Sequence, residues 1–177
     1  MILTTSRLVL RSWRDADRMA FAALNADPEV AADLGGPLDR RQSDAKFDRY
    51  RAAFEQHGIC RWLIEDRQGR FVGYAGIMPS DPAHPLGPHA EIGWRLVRSA
   101  WGEGFASEAA RAALQDGFER KGFAEVLAYT AADNHRSRGV MGRLGLQREA
   151  SRDFWLHHRT PPWHGLVWVA RPQAMPA

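Results

Sequence analysis

Between residues 90 and 120 a strand pattern runs through two spaced glycines straight into a helix pattern, and no other stretch constrains the chain as tightly. Ala90 to Val97 reads as a strand, and Gly102 and Gly104 form the turn after it. From about Ala106 to Arg120 the residues Ala106, Ala110, Ala113, Leu114 and Phe118 recur at helical spacing, and Gly122 is placed to end that helix. A strand, a glycine loop and a helix in this order aim several unpaired backbone N–H groups at one point, where the helix dipole adds positive charge. Phosphate is the natural occupant, and glycine lets the backbone approach it without a Cβ in the way. By itself the pattern fits an ordinary tight turn equally well.

The flanking sequence supplies a mixed α/β context. Leu3 to Arg11 alternates as a half-buried strand, Asp15 opens a helix that stops near Asp27-Pro28, and Ser43 is placed to cap a second helix with Phe47, Tyr50 and Phe54 on one face. Cys60 to Glu65 and Arg70 to Ile77 flank Asp66-Arg67-Gln68-Gly69 as a hairpin. Pro79 to Pro88 carries four prolines and reads as an exposed loop. Glu125 to Thr130 is a further strand, Asn134 opens a short helix with Val140, Met141 and Leu144 inward, and Leu146 to Glu149 and Gly165 to Ala170 are the last strands. Without repeats or a linker, residues 1–177 read as a single domain.

Composition excludes more than it selects. The 177 residues carry a net charge of +3, from basic residues that are nearly all Arg; Lys46 and Lys121 are the two lysines. The arginines are scattered, so a nucleic-acid surface is not expected. No apolar run approaches the ~20 residues of a membrane span, and the N-terminus lacks the layout of a secretory signal. Cys60 is alone and reads as a buried, inert thiol. A cytoplasmic protein is expected.

The phosphate ligand can be narrowed. A P-loop needs Gly-Lys-Ser/Thr where Gly104 precedes Phe105, and a dinucleotide fingerprint needs a parallel βαβ unit where these strands look antiparallel. Instead, Trp101-Gly102-Glu103-Gly104-Phe105-Ala106 resembles the acetyl-CoA loop of the GNAT superfamily of N-acetyltransferases, in the form typical of its RimJ/RimL-like branch. Trp101 departs from the Gln or Arg that usually opens that loop. Thr5 to Arg11, Asp27-Pro28-Glu29-Val30, and Asn134-His135-Arg136-Ser137 continuing to Arg143-Leu144-Gly145 resemble the same branch, in family order.

The resemblance implies a GNAT fold of class α/β (α+β), with a mixed, mostly antiparallel sheet flanked by helices and splayed at the cofactor-binding strand. It implies acetyl-CoA as co-substrate and a primary amine as acceptor: a protein or peptide N-terminus, or else an amino acid, polyamine or antibiotic. A non-catalytic acyl-CoA-binding module is the rival outside the enzymes, and a homodimer stays open. Leu96 and Val97 would pair with the pantetheine. Trp101, Gly102, Glu103, Gly104, Phe105, Ala106 and Ser107 would hold the pyrophosphate, and Asn134 and Ser137 would reach the cofactor from the next helix. Asn134 is equally a good N-cap.

For the chemistry, Glu91 is the expected base, acting through water, with His89 on the same strand face as the weaker candidate. A backbone N–H near Val97 would meet the oxyanion. The family's usual acid is a Tyr seven residues after the helix-opening Asn. Met141 stands there, so no acid is assigned; Ser137, water, or departure of CoA as the free thiolate are the alternatives. Phe154 to His164 is aromatic and rich in histidine. Without a cysteine pair or HExxH it reads as a substrate-side wall rather than a metal site.

Overall fold

A computed structural model of the chain describes residues 2–32, 35–157 and 160–172. The N-terminal pattern that reads as one strand is a hairpin of β1 (Ile2–Thr4) and β2 (Leu8–Arg11), with Leu3 opposite Leu10. Thr5 makes the turn: its N–H donates to the Leu8 carbonyl and its hydroxyl oxygen accepts from the Leu8 N–H, each at 3.0 Å. Such local side-chain bonds compete with a straight strand, and alternation alone does not reveal them.

Helix α1 (Arg18–Ala26) stops at the expected break, where Asp27 caps the single turn α2 (Pro28–Ala31). Helix α3 (Arg40–His57) begins earlier than Ser43 suggests. Asp39 is its cap, accepting from the Gln42 N–H at 2.7 Å, while the Gln42 side chain accepts from the Asp39 N–H at 2.9 Å. This reciprocal pair satisfies two orphan donors where a lone serine satisfies one, and Ser43 lies buried inside the helix.

Strands β3 (Arg61–Asp66), β4 (Phe71–Pro79), β5 (Ala90–Leu96), β6 (Val126–Thr130), β7 (Gln147–Arg148), β8 (Phe154–Leu156) and β9 (Trp163–Ala170) complete the sheet. The order is β1-β2-β3-β4-β5-β6-β9-β7, with β8 also on β9. Strand β8 was not expected, and it folds the aromatic excursion back onto β9. Helix α4 (Phe105–Glu119) is the crossover that lets β5 and β6 run parallel, and α5 (His135–Arg143) follows β6.

Alternation along the strands divides the layers. Ile77 faces α4, so closely that a Cβ on Gly117 would lie 2.4 Å from it. Tyr74, on the other face, packs against Phe21 of α1 and Tyr50 of α3 at ring separations of 5.8 and 5.4 Å. Burial of such side chains is worth about 1.5–3 kcal/mol each, and both faces of the central strands are covered.

The site is positioned by what β5 and β6 fail to do. Seven residue pairs join β4 to β5 and five join β6 to β9, yet β5 and β6 share one pair, Glu91 with Leu127. Beyond it the two parallel strands part. They open a gap toward the loop that leads into α4 and the N-terminus of α5.

Candidate active site

A cleft of about 1240 Å³ fills that gap and reaches the face of the sheet covered by α3. Its first half is made largely of backbone. Gly102 and Gly104 take φ of 83° and 78°, a region that L side chains rarely adopt, and Gly104 is the cap of α4 without a side chain to do the capping. The ladder of α4 starts with Glu108 N–H donating to the Gly104 carbonyl at 3.1 Å. The amides of Phe105, Ala106 and Ser107 therefore have no helical acceptor, and all three residues line the cleft. A Cβ on Gly102 would meet nothing within 4 Å. The loop thus offers donors, a helix dipole and open approach, which is what a pyrophosphate needs.

Three side chains, Glu108, Arg7 and Trp101, fix this loop. Glu108 accepts from the Thr5 hydroxyl at 2.6 Å, the Arg7 N–H at 3.0 Å, the Arg7 guanidinium at 2.7 Å and the Ser6 hydroxyl at 3.1 Å. Burial alone would raise its pKa, but these donors together hold it below the ordinary carboxylate value. Arg7 also donates to the Glu103 carbonyl at 2.9 Å and lies over the Phe105 ring at 4.7 Å. The β1–β2 turn is therefore a strap across the loop, a contact that sequence alone does not disclose. Trp101, the departure from the family pattern, donates its indole N–H to the Leu96 carbonyl at 3.0 Å and stacks under Arg136 at 3.9 Å. It ties β5 to the start of α5.

Leu96 and Val97 divide their expected roles. Val97 donates its N–H to the Val72 carbonyl at 3.0 Å, so its amide faces β4. Antiparallel alternation turns the Leu96 N–H toward the gap, making Leu96 the donor available near Val97. On α5, Asn134 caps the helix by accepting from the Ser137 N–H at 3.0 Å, which leaves its Nδ2 donor outside the cap. Ser137 and Met141 stand one turn apart on the same helix face and both line the cleft. Ser107 accepts from Arg143 Nε at 3.0 Å, which draws a cation to the start of α4.

The second half of the cleft is made of side chains. Glu91 is gripped by Arg61, whose Nη2 donates to Oε1 at 2.5 Å and whose Nη1 donates to the Glu91 carbonyl at 3.0 Å. Arg61, Gly76 and Gly93 form one row across β3, β4 and β5. The guanidinium crosses above the two glycines, and a Cβ on Gly93 would lie 2.9 Å from it. His89 donates from Nδ1 to the Gly87 carbonyl at 2.8 Å and packs with His84 and Tyr129 rather than reaching Glu91. His84 is pushed below the ordinary histidine pKa by burial and then by His89.

The aromatic excursion splits in two. Leu156 and Trp163 line the cleft, and Phe154 packs 5.2 Å from Tyr129. Trp155 points outward, half exposed and stacked 4.4 Å from His164. His158 lies outside the described residues, and among the described residues no cluster could hold a metal. On the α3 side, Lys46 and Arg95 meet at Asn25 beside Tyr74 and Tyr50, a grouping that no spacing in the sequence announces.

Comparison with known proteins identifies the family and the fold. Residues 7–147 match the family model described as an acetyltransferase (GNAT) domain. The chain is 34% identical, over 90% of its length and 70% of the other, to the FsC-acetyl coenzyme A-N(2)-transacetylase of Aspergillus fumigatus. An acetyltransferase from Agrobacterium tumefaciens superposes with a TM-score of 0.80 at 29% identity, covering 97% of this chain and 94% of that one. RimL, a ribosomal alpha-N-protein acetyltransferase solved in complex with coenzyme A, shares the fold at a TM-score of 0.78 and 15% identity, covering 98% and 99%.

Proposed function

The chain belongs to the GNAT acetyltransferase family and is an N-acetyltransferase, and on that footing we propose that it moves acetyl from acetyl-CoA to a small primary amine bound in the cleft between β5 and β6. One observation carries the reading: the unpartnered amides at the start of α4 open into the same cleft as Glu91. The amides from Trp101 to Ser107, with Glu103 contributing main chain only, hold the pyrophosphate. Leu96 and Val97 run beside the pantetheine like a neighbouring strand, joined by Asn134 and Ser137 from α5. A cytoplasmic setting belongs to the same proposal, and no helix among the described residues is long and apolar enough to cross a membrane.

In the proposed reaction a water on the Glu91 carboxylate takes the ammonium proton, since a protonated amine has no lone pair to attack with. Arg61 engages one carboxylate oxygen and leaves the second for that water. The amine nitrogen then bonds to the thioester carbonyl carbon, and the negative oxygen meets the Leu96 N–H. Collapse breaks the C–S bond, and the second amine proton passes to the departing sulfur. Met141 has no proton to give, so Ser137, one turn away, or a water beside it completes the transfer. Holding donor and acceptor together supplies much of the rate.

A protein N-terminus is the second reading, supported by the fold shared with RimL. The small amine is favoured because the acceptor side of the cleft is built from buried polar side chains on α1, α3, β4 and β5. The test is an acceptor panel of N-terminal peptides, amino acids, polyamines and aminoglycosides, read by release of free CoA thiol. Turnover of a small-amine class is expected. Tight acetyl-CoA binding with no thiol release from any amine would replace the enzyme with an acyl-CoA-binding module.

A further inference from the structure

On the acceptor side of the cleft, beyond the Arg61–Glu91 pair, stand two cations with no carboxylate partner among the described residues. Lys46 Nζ and Arg95 Nη1 both donate to Asn25 Oδ1, at 3.1 and 2.6 Å, and Lys46 also donates to the Tyr74 hydroxyl at 3.1 Å. Asn25 is fully buried, and its Nδ2 donates to the Phe21 carbonyl at 2.8 Å, which fixes Oδ1 toward the two cations. Among the described residues no carboxylate pairs with either. Arg95 is only 8% exposed, and its Nε is buried with no hydrogen-bond partner.

The other buried arginines are treated differently. Arg11 is held by Asp17 and Glu65, and Arg61 by Glu91. Burying a guanidinium without an acid is strongly unfavourable, so a pair of unmatched cations lining a cleft marks the place of an anion supplied from outside. The neighbouring phenol registers the same field. Burial would raise the Tyr74 pKa, yet the charges of Lys46 and Arg95 draw it below the ordinary phenol value.

Resting on the acetyl-transfer reading of this cleft, we propose that Lys46 and Arg95 bind a carboxylate on the acceptor, so that the substrate is an amino acid or a similar aminocarboxylate. A guanidinium and an ammonium converging on one point suit a carboxylate's two oxygens. Arg95 and Glu91 share one face of β5, about 13 Å apart along the strand. Their side chains reach into the cleft, so an acid held at Arg95 presents its amine toward the Glu91 water and the gap beside Leu96. Peptide N-termini offer no backbone carboxylate at that position.

Matched acceptors test this: phenylalanine against phenylalaninamide and phenethylamine, and glycine, β-alanine and 4-aminobutyrate as a length series. Calorimetry on the CoA-saturated protein reads the anion site without turnover. The acid should bind at least about tenfold more tightly than its amide, as a charge-assisted contact does. Lys46→Met should bring that ratio toward one, with Arg95→Gln, which keeps a donor for Asn25, as the second variant should the first fail to fold. Equal binding of acid and amide, or binding of neither, overturns the proposal. Thiol release separates the two readings. Acids that bind but accept no acetyl remove the transfer reading alone, and indiscriminate acetylation of amides and plain amines removes the carboxylate site alone.

Discussion

The two halves of the cleft are built by opposite means, and in the proposed reading one takes the donor and the other the acceptor. The donor half is backbone: amides from one seven-residue loop, shaped by Gly102 and Gly104 and strapped down by Thr5, Ser6 and Arg7 through Glu108. The acceptor half is side chain: Asn25, Lys46, Tyr74, Glu91 and Arg95 arrive from α1, α3, β4 and β5. Main-chain recognition needs a particular local conformation, and conformation writes itself as a short motif with glycines at fixed offsets. Side-chain recognition needs only that distant residues meet, and any one of them in isolation looks like an ordinary surface or core residue. Donor and acceptor are therefore separable, and mutations should divide along the same line.

The largest separation is expected at Glu91. Glu91→Gln should lower kcat/KM about 100-fold near neutral pH while acetyl-CoA affinity in calorimetry stays at the wild-type value. The deficit should shrink as pH rises and the acceptor amine loses its proton unaided; a constant deficit across pH would remove Glu91 as base. Gly93→Ala is gentler. Its Cβ would press on Arg61 at 2.9 Å and tilt the guanidinium that orients Glu91, so kcat should fall about tenfold with KM for acetyl-CoA unmoved. An unchanged kcat would make the Arg61 row a purely structural device.

The smallest of these effects is expected at the strap. Glu108→Ala should cost about 1–3 kcal/mol of stability, since three residues lose a charged acceptor, and should weaken acetyl-CoA binding more than acceptor binding. The pH dependence has a definite sign. Glu108 is more acidic folded than unfolded, so its contribution is complete above the unfolded value of about 4.3 and disappears as pH falls through the lower folded value. The melting temperatures of wild type and variant should differ at neutral pH and converge in acid. A gap that persists in acid would mean the carboxylate is not the stabilising group.

Much of the fold was legible because its signals are local. The run from Ala90 to Glu119 carries strand, glycine turn and helix in sequence order, and Gly58 ends α3 in the left-handed conformation a helix stop requires. What escaped was set by competition or by distance. Thr5 turns the chain where alternation reads straight on, Asp39 with Gln42 outcompetes Ser43 as a cap, and β8 exists because β9 is there to pair with it. In the site, Asn134 and the glycine loop could be read, whereas the Arg61 row depends on register across three strands and leaves no trace in spacing. The meeting of Lys46 and Arg95 at Asn25 leaves none either: Arg95 shares the inward face of β5 with Glu91, but its meaning appears only when Lys46 is found opposite.

The division between a backbone-built donor half and a side-chain-built acceptor half is tested most directly at Gly104, whose φ of 78° no β-branched residue adopts without strain. Acetyl-CoA is titrated calorimetrically into wild type and Gly104→Val, with a thermal melt on each. A folded variant that binds acetyl-CoA at least about tenfold more weakly is predicted. Wild-type affinity in a folded variant would contradict it, because the pyrophosphate would then be held elsewhere.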